Sequence, residues 1–166
     1  NTLPQPVIGR LHGNAFGGGV GLASICDVAI GVENAWMGLT ETKLGLIPAT
    51  IGPYVIARMG EAAARRVFMS ARKFSAQEAQ SLGLLAKTVA EDALDRAVTA
   101  EVTPYLSCAP GAVAAAKKLA RALGPVIDAQ TIEMTVTALI AQWESPEAEE
   151  GIAAFFQKSA PSWQAR

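Results

Sequence analysis

Three consecutive glycines, Gly17-Gly18-Gly19, stand between a short β-rich run and a nearly all-apolar stretch. No other feature constrains the chain as much. Val7-Ile8-Gly9-Arg10-Leu11, with Pro4 and Pro6 as punctuation before it, reads as a strand. Gly13-Asn14-Ala15-Phe16-Gly17-Gly18-Gly19 reads as a turn that needs unusual backbone angles or a close approach. Val20 to Cys26 reads as a helix buried on most sides, and Val28-Ala29-Ile30-Gly31 as a second strand. Strand, glycine turn, buried helix, strand is a βαβ-like unit, which places the first half of the chain in the α/β class.

The head of such a helix presents free amides and a partial positive charge, and glycine there lets an oxygen approach the backbone. That layout holds an anion. A phosphate loop requires Gly-Lys-Ser/Thr, and no lysine follows these glycines. The dinucleotide pattern fails as well. Gly17 and Gly19 have its first spacing, but Leu22 stands where the third glycine belongs; from Gly19 and Gly21 the third position is Ser24. A small oxyanion is the remaining ligand. The alternative, that the glycines only let helix and strand pack tightly, stays open at this point.

Ala35 to Leu39 reads as a third extended piece, and Thr40 to Gly45 as a polar turn bracketed by apolar residues. Glu41 sits in that turn, between Leu39 and Leu44. A carboxyl in apolar surroundings has a raised pKa and can serve as acid or base near neutrality, whereas a solvated glutamate has no such role. Helices are expected from the Pro48–Pro53 region to Met59, which Gly60 ends, and from Glu61 to Ser70 with Arg65 and Arg66 outside. Ser75-Ala76-Gln77-Glu78 is a capping box that opens a short helix closed by Gly83, and Leu84 to Val89 is extended. Beyond residue 90 the pattern turns helical over 91–106, 111–123, 128–143 and 147–158, with Asp128 and Ser145-Pro146 as starts. Ile132, Val136, Leu139, Ile140 and Trp143 share one face. The layout is an α/β part, residues 1–90, followed by a helical part, residues 91–166.

Other candidates are weaker. His12 ends the first strand without a Ser, Cys or acidic partner in a matching motif, which makes it structural, and no Gly-x-Ser-x-Gly elbow is present. Asp27 reads as an anchor for the helix end. Lys158, after Phe155-Phe156, can reach an anionic ligand or simply favour a helix C-terminus. Cys26 and Cys108 lie far apart without metal-ligand spacing and read as reduced cysteines of a cytosolic protein. The 166 residues are 51% hydrophobic and 17% charged, a globular balance, with net charge −1 and no basic stripe for nucleic acid. No apolar run reaches the ~18–20 residues of a membrane span. Asn1-Thr2-Leu3-Pro4-Gln5-Pro6 has no initiator Met and no leader pattern, so it reads as an internal linker of a chain whose N-terminal part is missing.

Together these residues resemble the enoyl-CoA hydratase/isomerase (crotonase) superfamily. The likeness runs from Pro6-Val7-Ile8 through His12-Gly13-Asn14-Ala15-Phe16-Gly17-Gly18-Gly19-Val20-Gly21-Leu22 to Cys26-Asp27. It resumes in Met37-Gly38-Leu39-Thr40-Glu41-Thr42-Lys43-Leu44-Gly45-Leu46-Ile47-Pro48 and in the terminal Glu150-Gly151-Ile152-Ala153-Ala154-Phe155-Phe156-Gln157-Lys158. It covers essentially the whole chain and is densest from residue 6 to 60. The resemblance implies a ClpP-like core of repeated ββα turns, then helices that build a homotrimer or hexamer. It implies an acyl-CoA substrate, no cofactor beyond that thioester, and a cytoplasmic protein that binds neither nucleic acid nor membrane. Gly18 is implied to donate one amide of an oxyanion hole, with Glu41 as the acid/base. Gly17, Gly19, Gly21, Leu39, Ala49 and Lys158 are implied to line the substrate. The second oxyanion donor and the adenine-binding loop lie, in the family, upstream of Asn1.

One departure matters. Two-carboxylate hydratases of the family carry a glutamate where this chain has Gly21, so one acid remains here. That count suits a Δ3,Δ2-enoyl-CoA isomerase. The run Leu46-Ile47-Pro48-Ala49-Thr50-Ile51-Gly52-Pro53-Tyr54-Val55-Ile56 instead resembles methylglutaconyl-CoA-type hydratases, and favours hydration of a 2-enoyl-CoA, branched ones included. A non-catalytic trimeric scaffold is the third reading.

Overall fold

A computed structural model describes residues 1–164. Twice in succession, a strand for each of two small sheets is followed by a helix. β1 (Ile8–Leu11) enters the first sheet and β2 (Ala15–Phe16) the second, before α1 (Gly18–Ile25). β3 (Val28–Val32) and β4 (Trp36–Gly38) repeat the step, followed by a 3-10 turn at Glu41–Leu44, α2 (Gly52–Met59) and α3 (Glu61–Phe68). β5 (Phe74–Ser75), α4 (Ala76–Ser81) and β6 (Lys87–Val89) complete the layers.

In the first sheet the order is β1-β3-β6, all parallel, with Ile8 opposite Val28 and Ile30 opposite Lys87. In the second, β4 lies parallel to β2 and antiparallel to β5. This is the expected α/β architecture of repeated ββα turns. Two strands were not legible: β2 and β5 are two residues long, too short for alternation to show.

Burial follows the parallel-sheet rule that strands covered on both faces are continuously apolar. Ala29 to Val32 are buried one after another. Met37, Leu39, Val55, Val67, Phe74, Leu84 and Leu85 join them in one cluster. Leu94 belongs to the same cluster, so α5 (Leu94–Val102) packs on the strands although it lies past residue 90. The stretch expected as one helix over 91–106 is α5 flanked by 3-10 turns at Glu91–Ala93 and Thr103–Ser107. Pro104, which has no amide to donate, stands at the second break.

Ser75 caps α4 by accepting from the Glu78 amide at 3.1 Å. The reciprocal half of the capping box is not made. The Glu78 carboxylate instead takes both Arg72 guanidinium nitrogens, at 2.6 and 2.8 Å, a bidentate pair that wins over a bond to a backbone amide. Asp27 anchors as expected, but to more than α1. Its Oδ2 accepts from the Val7 amide at 2.7 Å and from Lys117 Nζ at 2.6 Å, tying β1 to α6 (Pro110–Leu123). Lys117 was not singled out by sequence, because a lysine in a helix reads as a solvated face.

α7 (Ala129–Trp143) and α8 (Pro146–Gln157) start at Asp128 and Ser145, whose side chains accept from Thr131 and Ala148 amides. Ile132, Val136, Ile140 and Trp143 form an exposed apolar stripe on α7, and Phe155 and Phe156 are exposed on α8. Among the described residues no helix is long and apolar enough to cross a membrane.

Candidate active site

α1 begins at Gly18 because Gly17 turns the chain with φ +49° and ψ −115°, a conformation that a side chain would strain. The Gly17 amide is used up by the Gly38 carbonyl at 2.9 Å, which pins the turn to β4. Neither the Gly18 nor the Gly19 amide donates a hydrogen bond among the described residues. Space around Gly18 is open: an added Cβ would meet nothing within 4 Å. Gly19 instead packs close to Ala15, 3.3 Å from where its own Cβ would be.

The expectation that α1 is buried on most sides is met only in part. Val20, Gly21, Ala23 and Ser24 are buried, but Leu22 is 67% exposed. The face carrying Gly18 and Leu22 has no described element against it.

β4 runs into the 3-10 turn, which brings Glu41 back over the head of α1. Its Oε1 lies 3.1 Å from the position of a Cβ on Gly17. Its Oε2 is enclosed and has no hydrogen-bond partner among the described residues. Burial pushes the carboxyl above the ordinary glutamate range, and a hydrogen bond from its own backbone amide opposes the shift. A buried oxygen without a partner costs about 1–3 kcal/mol, so it marks a group kept for something other than stability. The turn itself is clasped from below. Gly151 of α8 lies so close that a Cβ there would stand 2.6 Å from the Leu44 carbonyl carbon and oxygen. Gln142 of α7 donates to the Gly45 carbonyl at 2.7 Å.

The other candidates divide. Gly17, Gly18 and Glu41 come together at the head of α1. Ala49 is buried in the loop leading to α2. The Leu39 side chain is wholly buried in the core. Gly21 is buried beneath Ile51, whose Cβ lies 2.9 Å from where a Gly21 Cβ would be. Lys158 caps the C-terminus of α8 in a left-handed conformation and is exposed. It stands seven residues past the Gly151 contact, about 10 Å along the helix. His12 is exposed. Cys26 is buried, burial pushes its thiol up, and neither Cys26 nor Cys108 is in a disulfide. Ile51 lies in the Ala49 to Tyr54 stretch that the resemblance implies to shape an acyl pocket, but its contact with Gly21, thirty positions away, is not reported by its neighbours in sequence.

Short strands shared between two small sheets and separated by helices make this an α/β protein of the crotonase fold. The enoyl-CoA hydratase/isomerase family model matches residues 1–166. The chain belongs to that family. It is 35% identical over 168 residues to the mitochondrial methylglutaconyl-CoA hydratase of Rattus norvegicus, covering 98% of this chain and 53% of the relative. It is 41% identical over 123 residues to the enoyl-CoA hydratase ACTT6 of Alternaria alternata, 73% of this chain and 41% of the relative. Among solved structures, a carnitinyl-CoA dehydratase from Mycobacterium avium 104 superposes with a TM-score of 0.86 at 31% identity, covering 99% of this chain and 66% of that one. The chain thus spans between about two fifths and two thirds of the length of these proteins.

Proposed function

We propose that the protein containing this chain adds water across the double bond of a 2-enoyl-CoA, with Glu41 as the proton-transfer group and the Gly18 amide holding the thioester oxygen. One observation carries the reading: an enclosed, unpartnered carboxyl beside a helix head whose first amides are free. Negative charge that develops on a thioester carbonyl is stabilised by a preorganised amide and by the positive end of α1. Burial raises the pKa of Glu41, which makes its carboxylate a stronger base than a solvated one for exchanging a proton with the carbon next to the thioester. The names of the relatives point to CoA thioesters, and the methylglutaconyl-CoA hydratase among them supports a branched acyl group.

In this reading Lys158, free of ion pairs among the described residues, meets a phosphate of CoA, and Lys158→Ala weakens CoA binding while leaving kcat in place. An unchanged Kd for CoA removes that role. The apolar stripe of α7 and the exposed Phe155 and Phe156 support self-association through the C-terminal helices.

Double-bond isomerisation is the second reading. Gly21 supplies no acid, and one carboxylate is enough to move a proton along an acyl chain. Full-length protein, given 2-enoyl-CoA and 3-enoyl-CoA in turn, separates the two. Loss of the 2-enoyl absorbance with a 3-hydroxyacyl product supports hydration. Conversion of 3-enoyl to 2-enoyl substrate without any hydrated product overturns it. Glu41→Gln removes either activity, and a variant as fast as the wild type excludes Glu41 from the chemistry.

A further inference from the structure

Gly45 closes the 3-10 turn that carries Glu41, and two constraints require glycine there. Its φ is +68°, and the Glu147 carbonyl of α8 packs where a Cβ would stand. The peptide that joins Gly45 to Leu46 is bonded on both sides. Its N–H, on Leu46, donates to the Glu41 carbonyl at 3.1 Å. Its oxygen, on Gly45, accepts from Gln142 Nε2 at 2.7 Å. A peptide is planar, so fixing its oxygen also fixes the direction of its N–H. Gln142 on α7 is thus one rigid peptide away from the backbone of the acid.

The Gln142 side chain is itself held. Its amide nitrogen has two hydrogens to donate, and Ser145 Oγ, 3.4 Å away, takes the second. That same oxygen caps α8 by accepting from the Ala148 amide at 3.2 Å. The rest of α7 turns its apolar side chains elsewhere. Its half-buried face is Thr131, Thr135, Leu139 and Gln142, spaced three and four apart, while Ile132, Met134, Val136, Ile140 and Trp143 are exposed. The Thr135 hydroxyl, on that half-buried face, donates within its own helix, to the Ile132 carbonyl at 2.8 Å.

We propose that Gln142 is a positioning residue: it fixes the Gly45–Leu46 peptide and, through it, the Glu41 backbone at the head of α1, so that proton transfer depends on the corner where α7 meets α8. An uncharged donor does this without adding a cation to the turn, which would favour the ionised form of Glu41.

The inference rests on Glu41 as the proton-transfer group, and one measurement is independent of turnover. Hydrogen–deuterium exchange follows the amides of residues 41–48 in full-length wild type, Gln142→Met and a control, Thr135→Val. Methionine nearly keeps the length of glutamine but has no N–H to donate. The segment with Leu46 is expected to exchange about tenfold faster in Gln142→Met and at the wild-type rate in Thr135→Val. With acyl-CoA substrates, kcat of Gln142→Met falls about tenfold or more, while the Kd of unreactive butanoyl-CoA stays within about twofold. A merely structural role moves both. Gln142→Glu, equally long and without an N–H when ionised, is the second variant should the methionine one fold poorly, and the same losses are expected of it. Unchanged exchange and kcat overturn the role of Gln142, as does a fall in kcat matched by lost binding or reproduced by Thr135→Val. Faster exchange in a protein whose wild type acts on no acyl-CoA keeps the link to the turn and overturns the assignment of Glu41 instead.

Discussion

Gly151→Ala tests whether α8 holds the turn that carries Glu41. In a helix interior this substitution normally stabilises by roughly 1 kcal/mol, because alanine loses less backbone freedom. Here the new methyl would stand 2.6 Å from the Leu44 carbonyl carbon and oxygen and 3.0 Å from its Cα. These are backbone atoms, so no rotamer change relieves the contact. α8 must back away, or the turn must rise. Overpacking of this kind costs about 1–3 kcal/mol, so the helix preference is cancelled and a net loss of up to about 2 kcal/mol remains. For a chain of this size that lowers Tm by up to about 8 °C. The displaced turn also carries Glu41, and a shift of about 1 Å at a proton-transfer group lowers kcat by on the order of a hundredfold. Gly111→Ala is the matched control. Gly111 lies in the first turn of α6, and an added Cβ there meets nothing within 4 Å. Its Tm should stay level or rise. Differential scanning calorimetry with steady-state kinetics reads both effects. A Gly151→Ala protein at least as stable as wild type, with unchanged kcat, refutes the clasp.

Two more outcomes follow from the electrostatics. Glu41 has a folded pKa raised by burial, so below the ordinary glutamate pKa of ~4.3 it is neutral folded and unfolded alike. Stability is then fully present, and it declines as pH rises through the raised value and the enclosed carboxyl must charge. Glu41→Gln escapes that decline: its Tm advantage over wild type should be absent at low pH, grow as pH rises, and level off, whereas an advantage independent of pH contradicts the assignment. Lys117→Met leaves Asp27 Oδ2 with only the Val7 amide and frees α6 from β1, costing about 1–3 kcal/mol. In urea melts the loss should shrink when Asp27→Asn is already present, since both act on one contact; strict additivity contradicts it.

What was legible in the sequence is what short-range chemistry specifies. Glycine punctuation located the start of α1 within two residues, Ser75, Asp128 and Ser145 marked helix starts that their side chains cap, and Glu41 stood out as an acid in apolar company. Two-residue strands have no period to read, so two of the second sheet's three strands, β2 and β5, were invisible. The fate of Glu78 was invisible for another reason. A capping box and an ion pair compete for the same carboxylate, and only the tertiary position of Arg72 decides between them. The burial of the Leu39 side chain and the packing of Ile51 over Gly21 were not legible either, because a motif says which residues surround a ligand's place, not how each is packed.

The pieces missed share a cause that bears on how the site works. Gly45 meets the Glu147 carbonyl, Gly151 meets Leu44, and Gly21 meets Ile51: in each case a glycine is required by a neighbour far along the chain. Read singly, each looks like a loop or helix glycine with a small cost in entropy. Read in pairs, they are the places where backbone approaches side chain or backbone too closely for a Cβ. Two of these three contacts bear on the short turn that carries Glu41, and the third lies one turn of α1 below it. A buried acid with an unpartnered oxygen is unfavourable where it stands, and a flexible turn would let it swing out to water. Close glycine contacts remove that escape, so the raised pKa of Glu41 follows from the packing beneath it as well as from the apolar residues around it.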